Sequence, residues 1–313
     1  MGLLTQVLLL VVGFVLLVKG ADWFVEGAAS IADKFGIPQI VIGLTIVAMG
    51  TSAPEAAVSI SAALKGSAEI TIGNVLGSNI LNVLVILGLT SVIRKIFVQR
   101  TTIHYEIPMV VGVTVLLVVM GLQNHVVSRL EGVILLGCMV VYMLYLLRLA
   151  KRGTIENEEL EEYAKKSSMG KLIFLVIVGV VAIVWGSDIA VNAATAIAHI
   201  FGMSERFIGL TIVALGTSLP ELVTSVTAAL KGNSDIAVGN IVGSNLFNIM
   251  FVVGMTAVIT PVVYDPAFKV DSIVAVGAVV LLLACVFRKG VLHRLHGCIM
   301  LACYGGYFAY LMI

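Results

Sequence analysis

The chain has 313 residues, of which 60% are hydrophobic and 12% are charged, and its net charge is +1. Its mean hydropathy is +1.11. Soluble domains carry about 25% charged residues, so the composition excludes an ordinary soluble globular protein. The balanced charge and the absence of a basic cluster give no indication of nucleic-acid binding. The composition instead predicts an all-α polytopic membrane protein, with the lipid bilayer as its main partner.

Apolar segments follow one another along the chain, and each is close to the roughly 20 residues that a helix needs to cross a bilayer. The ten segments lie at about 3–31, 39–64, 70–93, 104–122, 127–149, 170–198, 206–230, 236–259, 270–287 and 294–312. One clearly polar stretch, at 151–171, separates the fifth segment from the sixth. We therefore predict ten transmembrane helices, arranged as a first half at 1–150, a linker at 151–169 and a second half at 170–313.

The two halves repeat one pattern at a constant offset of 166 residues. Residues 43–55 read GLTIVAMGTSAPE and residues 209–221 read GLTIVALGTSLPE. Downstream, GNVLGSNILN at 73–82 matches GNIVGSNLFN at 239–248. Because five spans is an odd number, the second half enters the membrane in the opposite orientation. We therefore predict two inverted-topology five-helix repeats, the plan of many secondary transporters.

Lysines and arginines near the ends of the segments predict the orientation. If the N-terminus lies outside, fourteen of them fall on the inner side and four on the outer side. The inner group is Lys34, Arg94, Lys95, Arg100, Arg148, Lys151, Arg152, Lys165, Lys166, Lys171, Lys231, Arg288, Lys289 and Arg294, and the outer group is Lys65, Arg129, Arg206 and Lys269. We therefore predict a protein of the cell (plasma) membrane, with both termini extracellular and the linker in the cytosol.

Each repeat places one glutamate, Glu55 or Glu221, inside an apolar segment. An ionisable residue at membrane depth is by default a functional-site hypothesis. The preceding proline, Pro54 or Pro220, lacks an N–H and clashes with the carbonyl four residues earlier, which predicts a broken helix. A break releases backbone carbonyls, and at membrane depth these are tolerated only within protein or against a polar cavity.

Oxygen-bearing groups surround both glutamates at helical spacing. They are Thr51, Ser52, Ser78 and Asn82, their counterparts Thr217, Ser218, Ser244 and Asn248, and the released carbonyls around Ala48–Thr51 and Ala214–Thr217. Ligands that consist only of oxygen suit a hard cation such as Ca²⁺, and two carboxylates neutralise one divalent ion. If the halves pack about a pseudo-two-fold axis, the two glutamates meet near the midplane. For a further set of polar residues the pattern favours hydrogen bonds between helices over ion binding. This set is Ser59, Ser61, Asn74, Thr224, Ser225 and Asn240.

The motifs GTSAPE with GNVLGSN, and GTSLPE with GNIVGSN, resemble the two alpha repeats of the sodium/calcium exchanger family, within the calcium/cation antiporter superfamily. The lack of a large cytosolic domain is similar to its prokaryotic members. The resemblance implies that Glu55 and Glu221 are the central carboxylates, with Asn82 and Asn248 completing the middle of the site. Some relatives carry an aspartate at one of these last two positions, whereas both are asparagine here. The implied Na⁺ shells are Thr51, Ser52, Ser78 and the Ala48 carbonyl in one half, and Thr217, Ser218, Ser244 and the Ala214 carbonyl in the other.

The resemblance also implies a function, namely a secondary antiporter that exchanges Na⁺ for Ca²⁺ by alternating access and normally extrudes Ca²⁺. Two ionised glutamates and two neutral asparagines give the site two negative charges, so three Na⁺ for one Ca²⁺ would be electrogenic. An H⁺- or K⁺-coupled antiporter of the same fold is the alternative. An inverted repeat argues against a channel, and no HExxH or GxSxG motif indicates an enzyme. The sequence indicates no cofactor and no obligate protein partner.

Overall fold

The structure is a computed structural model, and it describes residues 2–68, 70–151, 168–202 and 214–312. Among these residues, seven helices are long and apolar enough to cross a membrane, or eight if one bent pair is counted as a single span. The protein is therefore a helical integral membrane protein, as the composition predicted. The count of ten spans stays a prediction. Residues 152–167 of the predicted linker lie outside the described residues, as do 203–213, which include the start of the predicted seventh segment at 206–230.

The described elements follow the predicted segments closely. The helices are α1 (Leu3–Phe35), α2 (Gln39–Thr51), α3 (Ala53–Leu64), α4 (Ile70–Ile93), α5 (Thr102–Asn124), α6 (Arg129–Ala150), α7 (Met169–Ile200), α8 (Ala214–Gly216), α9 (Leu219–Leu230), α10 (Ser234–Ile259), α11 (Pro266–Val286) and α12 (Arg294–Met312). Four short strands lie between helices, namely β1 (Ile96–Phe97), β2 (Val126–Val127), β3 (Val262–Val263) and β4 (Val291–Leu292). The most buried of the long apolar helices are α10 and α4, with 83% and 72% of their apolar windows inside the protein. These two equivalent helices therefore form the centre of the molecule.

The predicted helix breaks are confirmed at both copies of the motif. The chain bends by 49° between α2 and α3, and the residue at the bend, Ser52, has φ −84° and ψ 8°. Its counterpart before α9, Ser218, has nearly the same values, −89° and 3°. Pro54 and Pro220 lie in the first turn of the helix that follows, where the missing N–H has no intrahelical partner to lose. Each glutamate is therefore held in the first turn of a new helix.

The central helices contain wide π-helical turns at equivalent places. They lie at Leu81–Leu87 in α4 and at Asn248–Val253 in α10. Such turns are rare and occur often at functional sites. Asn82 lies within the first turn and Asn248 begins the second. The sequence pattern did not predict these turns, because a π turn has no apolar periodicity of its own.

Helices α1 and α7 cross at glycines in a reciprocal pattern. A Cβ atom added to Gly13 would lie 2.8 Å from the carbonyl oxygen of Gly186, and one added to Gly20 would lie 2.9 Å from that of Gly179. By the offset of 166, Gly13 corresponds to Gly179 and Gly20 to Gly186. Each glycine therefore meets the counterpart of the other, which is the arrangement of antiparallel helices about a two-fold axis. Small residues permit this close approach of the backbones.

The short strands pair across the two halves. Strand β1 pairs antiparallel with β4, and β2 pairs antiparallel with β3. By the offset, β1 corresponds to β3 and β2 to β4, so no strand pairs with its own counterpart. The pairing brings the basic loops at 94–100 and 288–294 to the same face of the molecule.

Candidate ion-binding site

The glutamates of the two repeats lie together inside the protein. Glu55 is in the first turn of α3 and Glu221 in the first turn of α9, and each residue is 1% exposed. Their carboxylates are close enough to repel each other electrostatically. The N-terminal ends of both helices carry partial positive charge, which favours carboxylates there. A cation between the two groups would remove the remaining repulsion.

Hydroxyls from both halves approach Glu221. The Ser52 hydroxyl donates to Oε1 of Glu221 at 2.8 Å, and the hydroxyls of Thr51 and Ser244 lie close to the same carboxylate. Ser244 also donates to the carbonyl oxygen of Ala48 at 3.4 Å, and Thr51 does so at 3.3 Å. Thr51, Ser52, Ser244 and the Ala48 carbonyl thus form one group of oxygens beside Glu221.

A second group forms beside Glu55 and has fewer hydrogen bonds. The hydroxyls of Ser78 and Thr217 lie close to its carboxylate, but neither carboxylate oxygen has a hydrogen-bond partner. Ser218, the counterpart of Ser52, is buried and its hydroxyl makes no hydrogen bond. Ala214 is the first residue of α8, close in sequence to Thr217.

The grouping of the hydroxyls differs from the one that the resemblance implied. The resemblance implies that Ser78 lies with Thr51 and Ser52 of its own half, and that Ser244 lies with Thr217. The structure instead brings Ser244 beside Thr51 and Ser52, and Ser78 beside Thr217 at Glu55. The reason is that the two halves cross antiparallel. Helix α10 therefore lies beside the motif of the first half, and α4 lies beside the motif of the second half. Each group of oxygens is therefore built from both halves.

One of the released backbone carbonyls accepts a hydrogen bond from a side chain. The Gly216 carbonyl lies four residues before Pro220, and it accepts a hydrogen bond from the Ser187 hydroxyl at 2.9 Å. The position equivalent to Ser187 in the first half is Ala21, which has no hydroxyl. The two motifs are thus equivalent in backbone form but differ in how their free carbonyls are satisfied.

Two pairs among the residues interpreted as links between helices make such links, whereas the buried hydroxyl of Thr224 has no hydrogen-bond partner. Asn74 donates to the Ser59 hydroxyl at 2.9 Å, and Asn240 donates to the Ser225 hydroxyl at 2.9 Å. Both amides also reach the backbone carbonyl of the glutamate in their own half, Glu55 at 3.2 Å and Glu221 at 3.4 Å. Asn240 accepts in addition from the Thr51 hydroxyl. These amides hold the glutamate-bearing helices against α4 and α10.

Sequence reasoning missed two asparagines and one buried carboxylate. Asn79 and Asn245 lie one helical turn before Asn82 and Asn248 and are bonded to them across the halves. Their signal was the shared GSN triplet, which fits ion binding and helix packing equally well. Glu106 in α5 is fully buried and accepts a hydrogen bond from Tyr145. Its counterpart in the second half is a serine, so Glu106 is not an acid that both repeats share.

Several buried oxygens at the site have no donor. They are both carboxylate oxygens of Glu55, Oε2 of Glu221, and Oδ1 of Asn82 and of Asn248. Buried polar atoms in proteins are nearly always satisfied, so a set of pure acceptors at one place fits a cation. No group of three or more His, Cys, Asp or Glu side chains suited to a metal occurs within 2–68, 70–151, 168–202 and 214–312. The site thus combines two carboxylates with neutral oxygens, which suits hard cations.

A cavity lies beside the bends of the two motifs. It has a volume of about 310 Å³ and lies between α3, α7 and the second motif. Its lining includes Pro54, Ser187, Asp188, Gly216 and Thr217. The rest of its lining is apolar and consists of Val58, Val184, Trp185 and Val191.

Comparisons with known proteins show which family the chain is similar to. A family model described as "Sodium/calcium exchanger protein" matches residues 5–148 and 171–313. The chain is 41% identical to the putative antiporter CaxA of Alkalimonas amylolytica, over 97% of this chain and 98% of that protein. It is 32% identical to the sodium/calcium exchanger MaX1 of Methanosarcina acetivorans, over 81% of this chain and 83% of that protein. A solved structure of the sodium-calcium exchanger NCX_Mj is similar with a TM-score of 0.85 and 30% identity, covering 98% of this chain and 99% of that one.

Proposed function

Because the chain belongs to the sodium/calcium exchanger protein family, we propose that it is a secondary antiporter that exchanges Na⁺ for Ca²⁺ across the membrane. The observation that carries this proposal is the buried pair Glu55 and Glu221, which has three carboxylate oxygens without a hydrogen-bond partner and lies beside hydroxyls from both halves. Two carboxylates match the charge of one Ca²⁺, and hydroxyls with carbonyls match Na⁺. The relatives with printed activities are antiporters or exchangers, which favours transport over catalysis.

The proposed architecture has ten spans in two inverted repeats, with the boundaries 1–150, 151–169 and 170–313. The reciprocal glycine contacts between α1 and α7 support antiparallel repeats. The strand pairs support the span count as well. An even number of spans must separate the loops at 94–100 and 288–294 for β1 to pair with β4. If α9 is counted as a span, six lie between them, namely α5, α6, α7, α9, α10 and α11.

The proposed orientation places both termini outside and the linker in the cytosol of a cell whose plasma membrane holds the protein. The basic loops at 94–100 and 288–294 then share the inner face, in agreement with their pairing.

The proposed ion positions follow the two groups of oxygens. Ca²⁺ binds between Glu55 and Glu221, with the amide oxygens of Asn82 and Asn248 beside it. One Na⁺ binds at Thr51, Ser52, Ser244 and the Ala48 carbonyl. A second binds at Thr217, Ser78, Ser218 and the Ala214 carbonyl. A third Na⁺ would share the central carboxylates after Ca²⁺ has left, which gives three Na⁺ for one Ca²⁺ and normally extrudes Ca²⁺.

The experiment that tests the function is Ca²⁺ uptake into proteoliposomes that contain the purified full-length protein. Vesicles loaded with Na⁺ and diluted into Na⁺-free medium should take up ⁴⁵Ca²⁺, and choline-loaded vesicles should not. Uptake should persist when a protonophore collapses any pH gradient. Loss of uptake with the protonophore would instead favour the H⁺-coupled alternative, and a requirement for K⁺ would favour the K⁺-coupled one. No uptake under any of these gradients would contradict antiport.

A further inference from the structure

Four asparagines form one hydrogen-bonded cluster where α4 and α10 cross. Asn79 and Asn82 belong to α4, and Asn245 and Asn248 are their counterparts on α10. All four are buried, with at most 4% exposure. An amide has an acceptor end and a donor end, so the orientation of each amide decides which end faces the ion site.

Backbone carbonyls fix the amide orientation of Asn79 and Asn245, which are called the inner pair. The Nδ2 atom of Asn79 donates to the backbone oxygen of Asn245 at 3.2 Å, and Nδ2 of Asn245 donates to the backbone oxygen of Asn79 at 3.3 Å. A carbonyl only accepts hydrogen bonds. The nitrogen of each inner amide must therefore face the opposite backbone, and its Oδ1 must point the other way.

The inner pair then determines the amide orientation of Asn82 and Asn248, which are called the outer pair. Oδ1 of Asn245 accepts from Nδ2 of Asn82 at 2.9 Å, and Oδ1 of Asn79 accepts from Nδ2 of Asn248 at 3.2 Å. With their nitrogens engaged, Asn82 and Asn248 are left with a buried Oδ1 that has no hydrogen-bond partner. Two chains of hydrogen bonds thus each run from one backbone carbonyl to one free amide oxygen.

We propose that Asn79 and Asn245 are positioning residues, which hold the Asn82 and Asn248 amides with oxygen rather than nitrogen toward the transported cation. The inference rests on the proposed function, since it assumes that a cation binds beside Glu55 and Glu221. If an outer amide were reversed, its N–H groups would face the cation, so that one ligand would be lost and a repulsive dipole gained. Each half thereby orients an ion ligand of the other half.

The test is Ca²⁺ binding to the purified full-length protein in nanodiscs, measured with ⁴⁵Ca²⁺ for Asn245→Ala in two backgrounds. In the native background the amide of Asn82 loses its orienting acceptor. Binding should then weaken roughly 3- to 10-fold, the range expected for one neutral hydrogen bond. In the Asn82→Asp background both ends of the side chain at 82 are oxygens, so no orientation is needed. There Asn245→Ala should change binding less than about twofold. The pair Asn79→Ala and Asn248→Asp should behave in the same way.

The possible results separate a positioning role from a structural one. An equal loss of affinity in both backgrounds would mean that Asn245 only supports packing, and unchanged affinity in the native background would mean that it does not act on the site; either overturns the inference. Thermal unfolding of each variant measures the structural contribution, which in the native background includes the lost hydrogen bond between Asn82 and Asn245. If the native protein bound no more Ca²⁺ than Glu55→Gln, the proposed function itself would fail, and this result differs from all the others.

Discussion

The carboxylates at 55 and 221 are the residues on which the proposed chemistry depends. Glu55→Gln and Glu221→Gln should each reduce Na⁺-driven Ca²⁺ uptake to the background of empty vesicles, because each removes a negative charge and a ligand oxygen from a two-carboxylate site. The amide has nearly the same shape, so folding should be retained. The measurement is uptake per reconstituted protein, with size-exclusion profiles compared before reconstitution.

Glu106 supplies a matched control for these substitutions. It is also a fully buried glutamate on an apolar helix, but it lies outside the repeated motif and bonds to Tyr145. Glu106→Gln should therefore retain most of the uptake. If Glu106→Gln abolished uptake as fully as Glu55→Gln, the loss would reflect removal of any buried carboxylate and not of the ion site.

The serines on α4 and α10 should act mainly on Na⁺. Ser78 and Ser244 add neutral oxygens beside Glu55 and Glu221 respectively, and neutral oxygens contribute more to a monovalent ion than to Ca²⁺ held by two carboxylates. Ser78→Ala and Ser244→Ala should thus raise the Na⁺ concentration for half-maximal exchange about 3- to 10-fold, as expected for the loss of about 1 kcal/mol. The Ca²⁺ dependence should shift less. An unchanged Na⁺ dependence in both variants would leave the two serines with a role in helix packing only.

At this scale the sequence predicted the composition of the site better than its pairing. Glu55 and Glu221 follow from their depth in apolar segments, and the twofold occurrence of each motif identifies the surrounding hydroxyls. The partner of each hydroxyl depends on how the halves cross, which helical spacing within one half does not contain. Ser244 therefore lies beside Thr51 and not beside Thr217.

Among the elements, the contact between α2 and α10 depends most clearly on glycine. A Cβ on Gly239 would lie 2.9 Å from Cα of Gly43 and 3.0 Å from the Ile40 carbonyl oxygen. These are backbone atoms that cannot rotate away. Gly239→Ala should thus destabilise the protein by about 1–3 kcal/mol, the usual range for overpacking. Gly277→Ala on α11 is the control, because no atom lies within 4 Å of the added Cβ.

The measurement is the thermal midpoint in detergent, followed by size-exclusion chromatography. Gly277→Ala should leave the midpoint unchanged or raise it, since alanine favours a helix over glycine by roughly 0.5–1 kcal/mol. Equal midpoints for Gly239→Ala and Gly277→Ala would show that the crossing of α2 and α10 tolerates a wider spacing.

The breaks in the helices were predictable, whereas the π turns were not. Pro54 and Pro220 predict a break because proline lacks an N–H and its ring clashes with the carbonyl four residues earlier. The 49° bend lies at the expected place. The turns at Leu81–Leu87 and Asn248–Val253 contain no proline and keep an apolar sequence. Their position depends on packing between α4 and α10, which is a tertiary effect.

For the whole molecule, the proposed stoichiometry predicts charge movement. With both glutamates ionised and Asn82 and Asn248 neutral, one Ca²⁺ leaves the site neutral and three Na⁺ leave it with one positive charge. One charge that crosses the full potential is worth about 2.3 kcal/mol per 100 mV, which is more than a tenfold bias at about 1.4 kcal/mol per decade. A potential that is negative inside should therefore drive Ca²⁺ extrusion.

The measurement is the reversal potential in proteoliposomes with fixed Na⁺ and Ca²⁺ gradients and a voltage set by K⁺ and valinomycin. The ion ratio at which Ca²⁺ flux reverses should shift with voltage as for one net charge. A ratio that is independent of voltage would replace three-for-one exchange with an electroneutral two-for-one exchange.

The membrane class and the repeat were readable from the sequence, because composition and a fixed offset of 166 residues are properties of the chain itself. The assembly of the repeats was expected from the odd number of spans. Its contacts, such as Gly13 with Gly186 and β1 with β4, required the structure. These contacts bring the two halves together, as the proposed shared site requires.

The number of Ca²⁺ ions bound per chain distinguishes one site shared by the two halves from two independent sites. Equilibrium binding of ⁴⁵Ca²⁺ to the purified protein in Na⁺-free buffer should saturate at one ion per chain. Either Glu55→Gln or Glu221→Gln should remove that ion entirely, since both carboxylates serve one site, and Na⁺ added to the native protein should displace it. If each single variant kept about half of the bound Ca²⁺, the two repeats would hold independent sites and the shared site would be wrong.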